Sequence, residues 1–218
     1  MREPSTHLAL LLDAPLQSWG YQSKFDRRTS FSSPTRSGIL GMLCAAMGVD
    51  RADSETLAEF ANLEVTVYTL QNNGRLTDFH TVGGGWNKKT HKRNIVPKAD
   101  GGIGNTVVTR REYLQSSTFG AVLRGPRNQL EPIGEALQNP RWGIWLGRKS
   151  CIPASPVMQG LFDTEEAALQ HLCQQAGTPN ASRVCREAAS FEDGTDTLMD
   201  TPLDFAERSF APRRVEVE

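Results

Sequence analysis

Residues 7–15, HLALLLDAP, place five apolar side chains in succession, Leu8 to Leu12, before an Asp-Ala-Pro turn signal. A membrane span needs about twenty apolar residues, so a run this short reads instead as a buried first strand. The chain has the means to bury it: 218 residues with 38% hydrophobic and 22% charged side chains are the composition of an ordinary globular domain. No stretch is apolar for long enough to cross a membrane, and Met1–Pro4 lacks the basic-then-apolar layout of a signal peptide, so the expected address is the cytoplasm, with no membrane contact. Cys44, Cys151, Cys173 and Cys185 form no C-x-x-C and are read as free thiols.

A polar loop, LQSWGYQSKFDRRTSFSS, follows the first strand and carries Lys24, Arg27 and Arg28; loops this long in a compact domain are commonly functional. The helix predicted next runs from Pro34 to Met47, with Ser33 as its N-cap and Gly48 as its stop. Leu63–Gln71 alternates as a strand, Asn72-Asn73-Gly74 reads as a hairpin turn, and Arg75–Val82 reads as the antiparallel neighbour of that strand. Residues 109–125 return to a strand pattern with Phe119, Val122 and Leu123 as core candidates, and a second helix follows despite Pro132. RWGIWLGRKSCIP reads as a further strand, with Trp142 and Trp145 expected in the core, and Thr164–Gln175 as a third helix. The acidic remainder carries little pattern before a last strand within residues 201–218. The predicted fold is α+β, of the ferredoxin-like or RNA-recognition-like plan with helices on one face of the sheet. It forms one domain, residues 1–218, into which residues 83–109 are inserted as a flexible basic arm or extended hairpin.

Charge is unevenly spread. The net charge is −1, yet residues 75–111 hold eight Lys/Arg against two acids, while residues 161–209 hold ten acids against three arginines. The first region suits a polyanion and the second repels one. Within the arm, Trp86, Lys88, Lys89, His91, Lys92, Arg93 and Lys98 interleave cations with an aromatic, the combination that single-stranded RNA binding requires; a solvated basic loop has the same composition. Thr35, Arg36 and Ser37 at the helix start offer a second anion site, or simply a capped helix with a solvent-facing arginine. Gly147, Arg148 and Lys149 offer a third, or a commonplace basic turn. His80 and His91, with Lys88, Lys89 and Tyr113, could be assembled into a metal-free RNA-cleaving site, although a strand histidine is more often structural. The sequence has no P-loop, H-E-x-x-H, G-x-S-x-G or dinucleotide fingerprint, so neither metal nor cofactor is expected.

Several stretches resemble a known family in order and spacing: LLLDAPLQSWG, FDRRTSFSSPTRSGILGMLCAAMGVDR, DFHTV, TRREYLQSSTFGAVL and PRWGIWLGRKSCIPASPV. That family is CasD, a subunit of the subtype I-E Cascade CRISPR surveillance complex, and the resemblance covers about residues 8 to 162, with the acidic C-terminal quarter matching loosely. It implies a repeat-associated (RAMP) fold with a β-hairpin thumb. It further implies a subunit that caps the CasC backbone, holds the 5′ handle of the CRISPR RNA and docks the large CasA subunit, meeting target DNA only through the assembled complex. On this resemblance the 83–109 arm falls in the thumb and Arg36 faces handle phosphate or base. Arg27, Arg28, Arg110, Arg111, Arg148 and Lys149 lie on matching segments and are the next RNA-binding candidates. The corresponding subunit of the subtype I-C system cleaves the CRISPR RNA precursor, whereas CasE does so in subtype I-E. No catalysis is therefore expected here, with His80 and Tyr113 structural or RNA-contacting; the alternative is a metal-independent endoribonuclease acting on repeat RNA.

Overall fold

The computed structural model describes residues 5–21, 26–93, 104 and 106–218; Lys24, Lys98 and the other expectations on the 94–103 stretch lie outside the described residues. The apolar run becomes the centre of β1 (Ser5–Gln17), which is hydrogen-bonded on one side to β7 (Val107–Pro126) and on the other to β8 (Met158–Phe162). Beyond β7 lie β3 (Glu64–Gln71), β9 (Arg183–Glu187), β11 (Ser209–Val217) and β10 (Asp196–Asp204), giving the order β10-β11-β9-β3-β7-β1-β8. These pairings are all antiparallel. The α+β class is therefore as the sequence predicts, with one large antiparallel sheet.

Alternation along the strands assigns each face its cover. Leu8, Leu10 and Leu12 of β1, Val65 and Val67 of β3, and Phe119, Ala121 and Leu123 of β7 pack in one core. That core also takes Ile39, Leu40 and Leu43 of α1 (Arg36–Met47), Leu57 and Phe60 of α2 (Ser54–Phe60), and Leu130, Ile133 and Leu137 of α3 (Arg127–Gln138). The intervening residues Ala9, Leu11, Tyr68, Leu70 and Val122 face the other way, against Ala168, Leu172 and Cys173 of α4 (Glu165–Ala176). Helices thus cover both faces of the sheet. The expectation of one covered face fails because the residues between the apolar positions of the central strands are themselves apolar and need a helix of their own.

The N-cap of α1 is Thr35, two residues later than predicted: its side chain accepts from the Gly38 N–H at 3.2 Å. Gly48 ends the helix in the left-handed region, at φ +74, as the C-terminal stop requires. The backbone N–H groups of Arg141 and Trp142 donate to the carbonyls of Ala46 and Ala45, so the chain leaving α3 covers the open end of α1.

Three further expectations are corrected. Residues 72–74 do not turn a hairpin between β3 and β4 (Arg75–Val82): β3 pairs with Gly120–Arg124 and neighbouring residues of β7, and β4 pairs with Val107–Leu114 of the same strand. The two lie end to end along β7, whose 20 residues, roughly 65 Å of chain at ~3.3 Å per residue, exceed what either could pair alone. Asn73 Nδ2 donates to the Ser116 carbonyl and the Gln115 N–H donates to the Gly74 carbonyl, which holds the junction to β7. Residues 141–153 form a loop and not a strand; Leu146 and Cys151 are buried, but Trp142 and Trp145 are exposed. The acidic segment, read as nearly patternless before a last strand, supplies β9 and β10 as well; the last strand itself, β11, falls within residues 201–218 as predicted.

The β4–β7 ribbon forms a stem that leads into the segment read from the sequence as an arm. Beyond it, β5 (Trp86–Asn87) pairs with β6 (Lys92–Arg93) as a nested hairpin whose turn is held by the Asn87 side chain, which accepts from the Lys89 and Thr90 N–H groups.

Candidate nucleic-acid interface

At the root of the stem, β2 (Arg27–Arg28) adds to β7 as a two-residue parallel bridge. Arg27 stands opposite Arg110, and Arg28 opposite Arg111. The pairing therefore sets two like charges side by side on each face of the ribbon, Arg27 with Arg110 on one and Arg28 with Arg111 on the other, an arrangement that repels itself unless counter-charge is supplied. Arg27, Arg28 and Arg110 are exposed and Arg111 is half-buried. The protein supplies little neutralisation: Asp26 lies 3.8 Å from Arg110, both are more than half exposed, and such a contact is weak. The Arg110 guanidinium lies 5.7 Å from the centroid of the exposed Phe79 ring, and Arg111 Nε donates to Thr109 Oγ1.

Arg148 approaches the same place from the 146–151 turn. Its Nη1 donates to the Glu112 carbonyl at 2.9 Å, its Nη2 to the Arg28 carbonyl at 2.8 Å, and its plane lies 4.7 Å from the Tyr113 ring centroid. Lys149 beside it is exposed.

Two hollows flank this cluster. One, of about 330 Å³, lies between Ser18, Gly20, Arg28 and Thr29 on one wall, Thr35, Ser37 and Gly38 at the start of α1, Phe205 and Phe210 from the β10–β11 hairpin, and Gly147 and Arg148 of the 146–151 turn. The other, of about 470 Å³, is lined by Leu16, Leu76, Asp78, Phe79, His80, Arg111, Tyr113 and Ser150. Each offers aromatic faces beside hydroxyl and guanidinium donors, which is what unstacked bases and phosphates require.

Arg36 takes no part in either hollow. It is 3% exposed, its guanidinium donates to Glu187 Oε2 at 3.1 Å and to the carbonyls of Ala61 and Leu63 at 2.6 and 2.8 Å, and its backbone N–H donates to Asp200 Oδ2. The expectation that it faces phosphate is corrected: the anion at the start of α1 is a carboxylate of the chain itself. Burial lowers the Arg36 pKa, which Glu187 partly offsets. Neighbouring Arg213 is pulled down by burial and pushed up by its hydrogen bonds to Asp200, with a net rise. Both guanidinium groups stay charged at neutral pH.

The remaining candidates separate along the arm. Lys88, Lys89 and Lys92 are exposed on the nested hairpin, to which Trp86 and Arg93 contribute backbone pairing. Thr35 and Ser37 line the first hollow and His80 the second. Of the residues weighed for cleavage, His80 of β4 and Tyr113 of β7 line the same hollow, Tyr113 being 5% exposed beneath Arg148, whereas His91 is in the β5–β6 turn at φ +51. Among the described residues no cluster of His, Cys, Asp or Glu could hold a metal ion. Phe205 and Phe210 escaped sequence reading because nothing local links residues near 205 to those near 35.

Comparison with known proteins decides the family. The family model described as CRISPR-associated protein (Cas_Cas5) matches residues 7–216. This chain is a Cas5-family protein. The match includes the acidic C-terminal segment, which carries the Phe205 and Phe210 wall. Among curated relatives, the Cas5-family chain is 28% identical to the CRISPR system Cascade subunit CasD of Escherichia coli (strain K12), over 94% of each chain. It superposes on a chain of a solved CRISPR RNA-guided surveillance complex with a TM-score of 0.77 and 29% identity, covering 97% of this chain and 89% of that one. A solved Cas protein gives a TM-score of 0.69 at 29% identity, covering 97% and 93%.

Proposed function

We propose that this Cas5-family chain is the non-catalytic CRISPR RNA-binding subunit of a subtype I-E Cascade complex in antiviral defence. It grips the 5′ handle, caps the CasC backbone, docks the large CasA subunit, works in the cytoplasm and meets target DNA only through the complex. The observation that carries the reading is the four-arginine bridge of β2 and β7, set between two base-sized hollows in a chain similar to a Cascade subunit. Exposed arginines such as Arg27, Arg28 and Arg110 are available to phosphates, and the hollows give room for bases turned out of a stack. The order β3-β7-β1-β8, with α1 between β1 and β3 and α3 between β7 and β8, supports a ferredoxin-like core, and the β4–β7 ribbon with its nested hairpin supports a thumb. The non-catalytic reading is supported by the placing of His91 in the β5–β6 turn, outside the lining of the hollow that His80 shares with Tyr113.

The test is a gel assay of the purified protein with labelled repeat RNA in EDTA, scoring binding and cleavage together. Intact RNA, shifted at low salt and released at high salt, with the shift lost in the combined Arg27→Ala, Arg28→Ala, Arg110→Ala, Arg111→Ala variant, is expected. Cut RNA, abolished by His80→Ala or His91→Ala, would make the protein a processing endoribonuclease.

A further inference from the structure

β2 is two residues long, pairs in parallel, and sets Arg27 and Arg28 against Arg110 and Arg111; on its own charges it should drift away from β7. The contacts that oppose this include the Arg110 N–H donating to the Asp26 carbonyl at 2.8 Å and the guanidinium of Arg148. That single planar fork spans the seam, with one nitrogen on the Arg28 carbonyl of β2 and another on the Glu112 carbonyl of β7. Its face is laid on Tyr113. The backbone that presents it is fixed as well. Gly147 sits at φ +99, where a Cβ would fall 1.7 Å from the Ser18 carbonyl oxygen, and the Ser18 N–H donates to the Leu146 carbonyl.

We propose that Arg148 is a positioning residue: it fixes where Arg27 and Arg28 stand against Arg110 and Arg111, and does not itself hold phosphate. This rests on the reading of the cluster as an RNA grip. A phosphate ligand is replaced tolerably by lysine, which keeps the charge; a strut that needs two fork nitrogens and a planar face is not.

The experiment has two arms. Without RNA, amide hydrogen exchange of Arg148→Lys should show the Arg110 N–H, which bonds Asp26, exchanging about tenfold faster than in the wild type, the change that loss of roughly one charged hydrogen bond produces. Thermal melting is measured alongside to separate local release from global loss. With repeat RNA, Arg148→Lys and Arg148→Ala should weaken binding to a similar extent, and adding Arg28→Ala to Arg148→Ala should cost little more, because both act through the same seam. Unchanged exchange at Arg110, wild-type binding by Arg148→Lys, or multiplicative losses in the double variant would each overturn the proposal. If the wild type binds no repeat RNA, the RNA reading fails, and the exchange arm still decides whether Arg148 is the strut.

Discussion

The backbone N–H of Arg36 donates to the Asp200 carboxylate at 2.8 Å, joining residues 164 apart in the sequence, and the same carboxylate accepts from Arg213 Nε at 2.7 Å and Nη2 at 3.1 Å. Asp200 therefore fills the start of α1 and neutralises a buried arginine of β11 at once, tying the C-terminal hairpin to the core. Removing one partner of such a buried pair leaves the other charge stranded, at a cost of about 3–5 kcal/mol. Asp200→Ala should lower the unfolding free energy read from urea titration by that much, and Asp200→Asn, which still accepts one bond, by less. A change below about 1 kcal/mol for Asp200→Ala would mean that the C-terminal hairpin does not depend on this contact.

Arg36→Lys tests the corrected role of that arginine. An ammonium cannot reach Glu187 and the carbonyls of Ala61 and Leu63 with a planar fork, so the variant should lose about 1–3 kcal/mol of stability. Its RNA affinity, measured well below both melting temperatures, should keep the wild-type salt dependence. In Arg36→Gln, which removes the charge, a salt slope shallower than that of the wild type would return Arg36 to the RNA face.

All four cysteines are buried, and burial raises each thiol pKa, that of Cys44 to about 11 with a further push from Asp53. The native thiols should therefore resist alkylation at pH 8 and react together on unfolding. Linkage has a definite sign. A raised folded pKa stabilises fully below the unfolded value, about 8.5, and this is lost as the pH rises through about 11. Urea midpoints should accordingly fall between pH 8.5 and 11, and Cys44→Ala should flatten that fall. An identical decline in Cys44→Ala would assign it elsewhere.

What was legible in the sequence was local. The buried run of β1, the αL stop of α1 at Gly48, and α3 and α4 are all written in periodicity and caps within a few residues. What failed was decided at long range. Asn72-Asn73-Gly74 carries a sound hairpin signal, but a hairpin would leave half of the 20-residue β7 unpaired. β9 and β10 escaped because half-exposed charged strands alternate only weakly, and their inward apolar residues, such as Cys185 and Leu198, are widely spaced. In the site, Arg27, Arg28, Arg110 and Arg111 were readable as cations, and their meeting across one bridge was not. Arg36 was misread for the same reason: its partners, Glu187 and Asp200, lie more than 150 residues away.

The arm offers a charge test that leaves the fold alone. Lys88 and Lys89 are exposed in the β5–β6 turn, whose geometry rests on the Asn87 side chain bonding the backbone N–H groups of Lys89 and Thr90, which alanine at 88 and 89 leaves in place. Lys88→Ala with Lys89→Ala should thus leave the urea midpoint unchanged. If each lysine neutralises one phosphate, the slope of log affinity against log salt for single-stranded repeat RNA should shallow by about 0.7 per lysine, about 1.4 for the pair. The loss should be largest at low salt and fade as salt rises. An unchanged slope with normal affinity would remove the nested hairpin from the RNA path and leave the grip to the arginine bridge at the root of the stem.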